Sequence, residues 1–285
     1  MSKIFKSEEG ERAVKDRYRQ FLKHWPVPNQ HLRIPTREGE TFVIASGQES
    51  APPLVLLHGA AFNSTMWMGD IPAWSRHFRV YAVDIIGDAG LSEQARPPYA
   101  SDAHALWLDD VLAALRVEQA SFVGISLGGW LALDYGLRRT SRVKSLVAIA
   151  PGGVAAKNVL IWALPLLLLG PWGRRKMREK ISGPAPANPS PAEMAVADFM
   201  ALVFRHMRQR TGSFPTFSDD SLRKLTMPVM AILGGRDVFI DSRRVKRRLE
   251  KTLPNARLLF LPEARHSIVG QTQPILDFLC AVHGV

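Results

Sequence analysis

A chain of 285 residues, 46% hydrophobic and 22% charged, has the composition of a globular protein with enough apolar material for one large core. Its single cysteine, Cys280, excludes an intramolecular disulfide and a cysteine-based zinc site, and fits a reducing, cytoplasmic setting. The net charge of +11 raises nucleic acid and anionic membranes as partners, so the placement of the cations has to be read along the chain.

The opening stretch, "MSKIFKSEEGERAVKDRYRQFLKHW", lacks the apolar core of a secretory signal and reads as a charged, amphipathic helix. "WPVPNQ" from Trp25 breaks it, so residues 1–30 form a leading helix and linker. "HLRIPTREGETFVIASG" predicts two strands joined by a turn at Glu38-Gly39. "PLVLLHG" from Pro53 and "RVYAVD" ending at Asp84 are short continuous apolar runs, as in strands covered on both faces. "ASFVGIS", "VKSLVAIAP", "MPVMAILGGRD" and "ARLLFLPEARH" continue the series. Between them "SDAHALWLDDVLAALRV", with Ser101 as its N-cap, "SLGGWLALDYGLRR", "SRRVKRRLEKTL" and "TQPILDFLCAVHG" have helical spacing. Strands alternating with helices predict a mostly parallel sheet flanked by helices.

From Gly152 to Phe217 the alternation stops. This stretch holds an apolar run from Val159 to Leu169, broken by Pro165 and far short of a membrane span. A Pro-rich linker and the helical "AEMAVADFMALVFRHMRQR" follow. It reads as a helical cap, residues 152–217, inserted between core segments 31–151 and 218–285. Insertions at strand carboxyl ends lie over the ligand crevice of an open α/β sheet. Trp162 and Phe199 in this cap are candidate contacts for an apolar or aryl group of a substrate.

Three clusters carry much of the charge: "RRKMREK", "RHMRQR" and "RRVKRRLEK". In the last, Val245, Leu249 and Leu253 make an apolar stripe, which turns the arginines outward. With no aromatic interleaving and no nucleic-acid motif, the clusters read as solvated helix faces. Nucleic acid is excluded as a partner, and weak contact with an anionic membrane is the lesser reading.

The chemistry centres on "GISLG", where a buried strand ends and a helix begins. Gly124 and Gly128 flank Ser126 as a tight strand–helix turn requires, forming a G-x-S-x-G nucleophile elbow. The hydroxyl needs a base. His266 follows the last predicted strand, where a loop can carry it over the sheet edge, whereas His58, at another strand end, reads as structural. The base needs an acid to fix its tautomer, and Asp237 in "LGGRD" ends the strand after the cap, with Asp241 and Asp219 as rivals. The order Ser126, Asp237, His266 is the one this architecture uses. By position, the backbone N–H groups of Leu127 and Ala60 would form the oxyanion hole.

The segments "HGAAFNSTMW", "VDIIGDAGLS", "GISLGG", "LGGRD" and "RHS", in that order over essentially residues 30–285, resemble the α/β-hydrolase superfamily. Within it, the first loop, "YAVDIIGDAGLS" and the long N-terminal helix look most like the bacterial carboxylesterases of the naproxen-ester type. The resemblance implies an α/β-hydrolase fold: a mostly parallel eight-stranded sheet flanked by helices, with a helical cap. It implies a serine esterase that forms an acyl-enzyme on Ser126, takes a small-molecule ester, and needs no metal or organic cofactor. A serine nucleophile argues against the haloalkane dehalogenases and epoxide hydrolases of this fold, which use aspartate. Lactonase, C–C bond hydrolase, acyltransferase and cofactor-free haloperoxidase chemistries share the triad and stay open, as does a non-catalytic ligand-binding role. The sequence departs from the family at Arg265, where glycine is common; the arginine is expected to point away to solvent. Asp84 and Asp88 read as loop-fixing residues.

Overall fold

The computed structural model describes residues 4–157, 160–184, 186–210, 212 and 214–285, with the backbone alone described at Leu160, Ile161, Trp162 and Leu167. The continuous apolar runs become the middle of one eight-stranded sheet, ordered β1-β2-β4-β3-β5-β6-β7-β8. At one edge β1 (Asn29–Thr36) and β2 (Gly39–Ser46) form an antiparallel hairpin. Its turn is Arg37-Glu38, one residue earlier than the sequence predicts. Gly39, with φ 99°, already pairs with Thr36. β2 meets β4 (Arg79–Val83) antiparallel. From β4 onward β3 (Pro53–Leu57), β5 (Ala120–Ile125), β6 (Val143–Ile149), β7 (Val229–Gly234) and β8 (Arg257–Leu261) run parallel. β4, β5 and β7 are buried at every residue, as a sheet covered on both faces demands.

The helices are α1 (Glu8–Leu22), α2 (Ile71–Trp74), α3 (Ala103–Ala114) and α4 (Leu127–Arg138), then α5 (Leu160–Leu167), α6 (Gly170–Ser182) and α7 (Pro191–His206). After them come α8 (Asp219–Leu222), α9 (Ser242–Thr252) and α10 (Thr272–His283). α3 starts later than its sequence suggests. Asp102 holds the N-cap position, and Ser101 Oγ accepts the Ala103 N–H only at 3.4 Å. Among the described residues α5, α6, α7 and the short α8 occupy the span between β6 and β7, with no strand there. No described helix is long and apolar enough to cross a membrane.

The leading helix is built into the core. Ser7 caps α1 by accepting the Gly10 N–H, acidic Glu8, Glu9 and Glu11 match the positive end of its dipole, and the face Gly10, Val14, Tyr18, Leu22 is buried. Lys6 N–H donates to His206 O at 2.8 Å and Arg208 N–H to Ile4 O at 2.7 Å, which straps the N-terminus to the end of α7. Tyr18 reaches further inward and donates its hydroxyl to Asp84 Oδ1 at 2.9 Å. Burial pushes the phenol pKa well up, so the hydroxyl keeps its proton.

Tyr18→Phe removes this donor without changing the packed ring. A hydrogen bond to a charged group contributes about 1.5–3 kcal/mol, so denaturant unfolding is expected to show a loss in that range. Unchanged stability would mean that α1 is not anchored through Asp84.

Candidate active site

Ser126 stands between β5 and α4 with φ 54° and ψ −107°, a conformation that costs a non-glycine residue on the order of 1–3 kcal/mol. Its N–H donates to Ile149 O at 2.8 Å and its carbonyl accepts from Trp130 N–H at 2.9 Å. The flanking glycines are steric necessities. A Cβ on Gly124 would lie 2.2 Å from Gly128 O, and one on Gly128 would lie 2.0 Å from Leu57 O. Chain segments from β3, β5 and α4 therefore touch backbone to backbone under the serine.

His58 helps to hold this junction. Its carbonyl accepts the Gly128 N–H at 3.1 Å, and Nε2 accepts the Ile85 N–H at 2.9 Å. Acceptance at Nε2 puts the ring proton on Nδ1, 2.8 Å from Gly59 O. Burial lowers its pKa and favours this neutral form. The ring is a buried tie between the ends of β3 and β4.

The structure brings Ser126, Asp237 and His266 together. His266 Nε2 lies 2.9 Å from Ser126 Oγ, and Nδ1 lies 2.7 Å from Asp237 Oδ2. Asp237 is buried, and its other oxygen accepts the N–H groups of Phe239 at 2.7 Å and Ile240 at 3.0 Å. The Phe239 ring packs edge-on against the imidazole, centroids 4.7 Å apart. Both rival acids are committed elsewhere. Asp241 caps α9 by accepting the Arg244 N–H at 3.0 Å, and Asp219 pairs with Arg248 at 2.7 Å. Arg265 turns away from His266, but to a protein partner rather than to solvent: Nη1 donates to Glu179 O at 2.6 Å near the end of α6.

The N–H groups of Leu127, next to the serine in the chain, and of Ala60, in the loop after β3, have no hydrogen-bond partner among the described residues. Ala61, next in the loop, adopts φ 58° and donates its N–H to Asp88 Oδ1 at 2.6 Å. The same oxygen accepts from Ala89 N–H at 3.1 Å. Asp88 therefore fixes the turn that follows Ala60. Burial pushes its pKa up to about 7, outweighing these two N–H bonds and the nearby Arg96 and Arg210. Asp84 fixes the following turn: Oδ1 accepts from Ser64 N–H and Oγ–H at 3.0 and 2.7 Å, and Oδ2 from Leu91 N–H at 2.8 Å.

Of the two candidate substrate contacts, Phe199 is 1% exposed and sits between Phe21 and Phe62, with ring centroids 5.6 and 5.9 Å away. Trp162 belongs to α5, and its side chain lies outside the described residues. Phe62, two residues after Ala60, is itself buried against Phe199. Two surface clefts, of about 430 and 460 Å³, lie beside Tyr99 and Trp130 and beside Met227 and Pro254; neither is lined by Ser126, Asp237 or His266.

Residues 54–278 match the alpha/beta hydrolase family, and the chain belongs to that family. It is 34% identical to the uncharacterized carboxylesterase nap of Bacillus subtilis over 278 residues, covering 90% of this chain and 87% of the relative. It is 31% identical to carboxylesterase YbfK of the same organism, with 92% of each covered. The crystal structure of naproxen esterase (carboxylesterase NP) from Bacillus subtilis superposes with a TM-score of 0.80 at 32% identity, covering 98% of both chains.

Asp88 gives a pH signature. A carboxyl whose pKa is raised by folding binds its proton more tightly when folded. Its contribution is therefore complete below about pH 4 and is lost as the pH rises to about 7. Asp88→Asn keeps an acceptor for Ala61 but cannot ionise. The melting temperature of wild type is expected to fall relative to Asp88→Asn between pH 5 and pH 7.5, and parallel curves would refute the assignment. Asp88→Ala, which removes the acceptor, is expected to cut kcat by roughly tenfold or more, an upper limit near the loss of one oxyanion donor.

Proposed function

We propose that this chain is a serine carboxylesterase working through an acyl-enzyme on Ser126. The observation that carries this reading is the unbroken hydrogen-bond path from buried Asp237 through His266 to Ser126 Oγ. Asp237 accepts from Nδ1–H, which leaves Nε2 as the free base. Ser126 Oγ attacks the ester carbonyl carbon while its proton passes to Nε2. The carbonyl oxygen takes up the negative charge, and the N–H groups of Leu127 and Ala60 donate to it. Collapse breaks the C–O bond, and Nε2–H protonates the leaving alcohol. A water then gives its proton to Nε2 as it attacks the acyl carbon. Breaking the Ser126 ester restores the hydroxyl and releases the acid.

The likeness to two carboxylesterases over about nine-tenths of this chain supports ester hydrolysis. α5, α6 and α7 form the cap over the site. The acyl group is apolar or aryl: Phe62 stands beside the oxyanion loop, and Phe199 backs it from α7. Contact with Phe199 is then indirect, through the Phe62 ring.

Ser126→Ala is expected to fold and to lose roughly 10⁴ or more in kcat on p-nitrophenyl esters. Asp237→Asn should impair turnover far more than Asp241→Asn, whose effect is confined to the cap of α9. Equal losses from the two would move the acid. Phe62→Ala is expected to shift the preferred acyl length by several carbons across a C2–C12 series, as a vacated aromatic volume would allow; an unchanged profile would remove Phe62 from the acyl site.

A further inference from the structure

The basic clusters do not all lie on the same kind of surface. In α9 the cations Arg243, Arg244 and Arg247 are exposed, but Val245 and Leu249 are buried, so this helix has no free apolar face. The turn between α5 and α6 is the reverse. Leu164, Leu168, Leu169 and Trp172 are all exposed, Leu168 to 81% of its surface. An apolar group of this size at one turn is unusual on a surface that has no partner. Immediately after it, α6 carries Arg174, Arg175, Lys176, Arg178 and Lys180 against a single carboxylate, Glu179. Glu179 is occupied by Lys176 at 2.7 Å and Arg175 at 3.8 Å. Arg174, Arg178 and Lys180 are left without a carboxylate partner among the described residues.

We propose that the α5–α6 turn and the outer face of α6 dock on an anionic lipid surface, with the leucines and Trp172 entering the interface and the cations of α6 meeting the headgroups. Apolar side chains bordered by arginine and lysine, with an indole at the boundary, are the chemistry that an acidic lipid–water interface recognises. Trp172 is placed for it, with the Lys176 ammonium 5.9 Å from its ring centroid. Nucleic acid would match the cations but leave the leucines in water. A second copy of this face would match the leucines but bring two strongly cationic helices together.

The far end of α6 rests on the histidine loop. Ile181 O accepts the N–H groups of His266 at 3.1 Å and Ser267 at 3.3 Å, and Ser182 Oγ lies 2.9 Å from Ser267 Oγ. The helix that carries the docking cations thus also touches the loop that carries His266. A lipid-borne ester would be delivered beside His266, a consequence that rests on the esterase reading, whereas docking itself does not.

The test is flotation of the full-length protein with phosphatidylcholine vesicles, with or without phosphatidylglycerol, alongside turnover of soluble p-nitrophenyl acetate. Wild type is expected to float with vesicles containing phosphatidylglycerol at low salt and to lose roughly tenfold in bound fraction at 0.5 M salt, where the screening length is only a few ångströms. Leu168→Glu/Trp172→Glu and Arg174→Glu/Arg178→Glu should each abolish flotation while keeping the melting temperature and the soluble-ester rate. Arg244→Glu/Arg247→Glu on α9 should float like wild type. The proposal is overturned if wild type fails to float at low salt, or if the α6 variants still float. It is also overturned if Leu168→Glu/Trp172→Glu instead converts a dimer to a monomer with no vesicle binding in either form. Flotation without any esterase activity would sink the esterase reading and leave docking standing.

Discussion

Three backbones meet where no side chain fits, and the site depends on that contact. Gly124 faces the carbonyl of Gly128, and Gly128 faces the carbonyl of Leu57, so α4 leaves β5 with its first turn pressed on β3. The approach forces Ser126 to φ 54°, holds its hydroxyl clear of the strand, and leaves the Leu127 N–H at the open end of α4. The strain is offset by the burial of β5 and of all but the first residue of β3, which cannot move without exposing apolar surface. A side chain at either glycine would push α4 away from β3, and the serine, the Leu127 N–H and the His58 tie would be displaced together.

The remaining groups are fixed by carboxylates used as acceptors rather than as bases. Asp237 holds His266 while its second oxygen is saturated by two backbone N–H groups, so the acid cannot swing. Asp88 and Asp84 do for the loops after β3 and β4 what secondary structure does elsewhere, and Tyr18 carries the anchoring out to α1. The loop after β3, the first helix and the helix α7 it straps are thus parts of one support. In the acyl transfer we propose, fixed dipoles in place of solvent around the serine would be the physical source of stabilisation for a developing oxyanion.

Much of this was legible because it rests on local rules. Continuous apolar runs specify doubly covered strands, and glycines two residues either side of a serine specify an elbow. What escaped the sequence depends on contacts distant in the chain. Asp237 could be preferred to Asp241 only by strand position; that Asp241 caps α9 needs the helix start to be seen. Arg265 was expected to face solvent because nothing local reveals that the end of α6 offers it the Glu179 carbonyl. Phe199 looked like a substrate contact because cap aromatics and buried aromatics have the same spacing; Phe21 and Phe62, far apart in sequence, enclose it. Ser101 and Glu38-Gly39 were misplaced by one residue, the usual uncertainty where propensity alone sets a boundary.

The proposed activation of Ser126 through His266 can be read from treating the folded protein with one equivalent of a fluorophosphonate and locating the adduct by mass spectrometry of its peptides. One adduct per chain is expected, on the peptide containing Ser126, and none in His266→Ala. An adduct on a different serine, or an unlabelled protein that still hydrolyses esters, would contradict it.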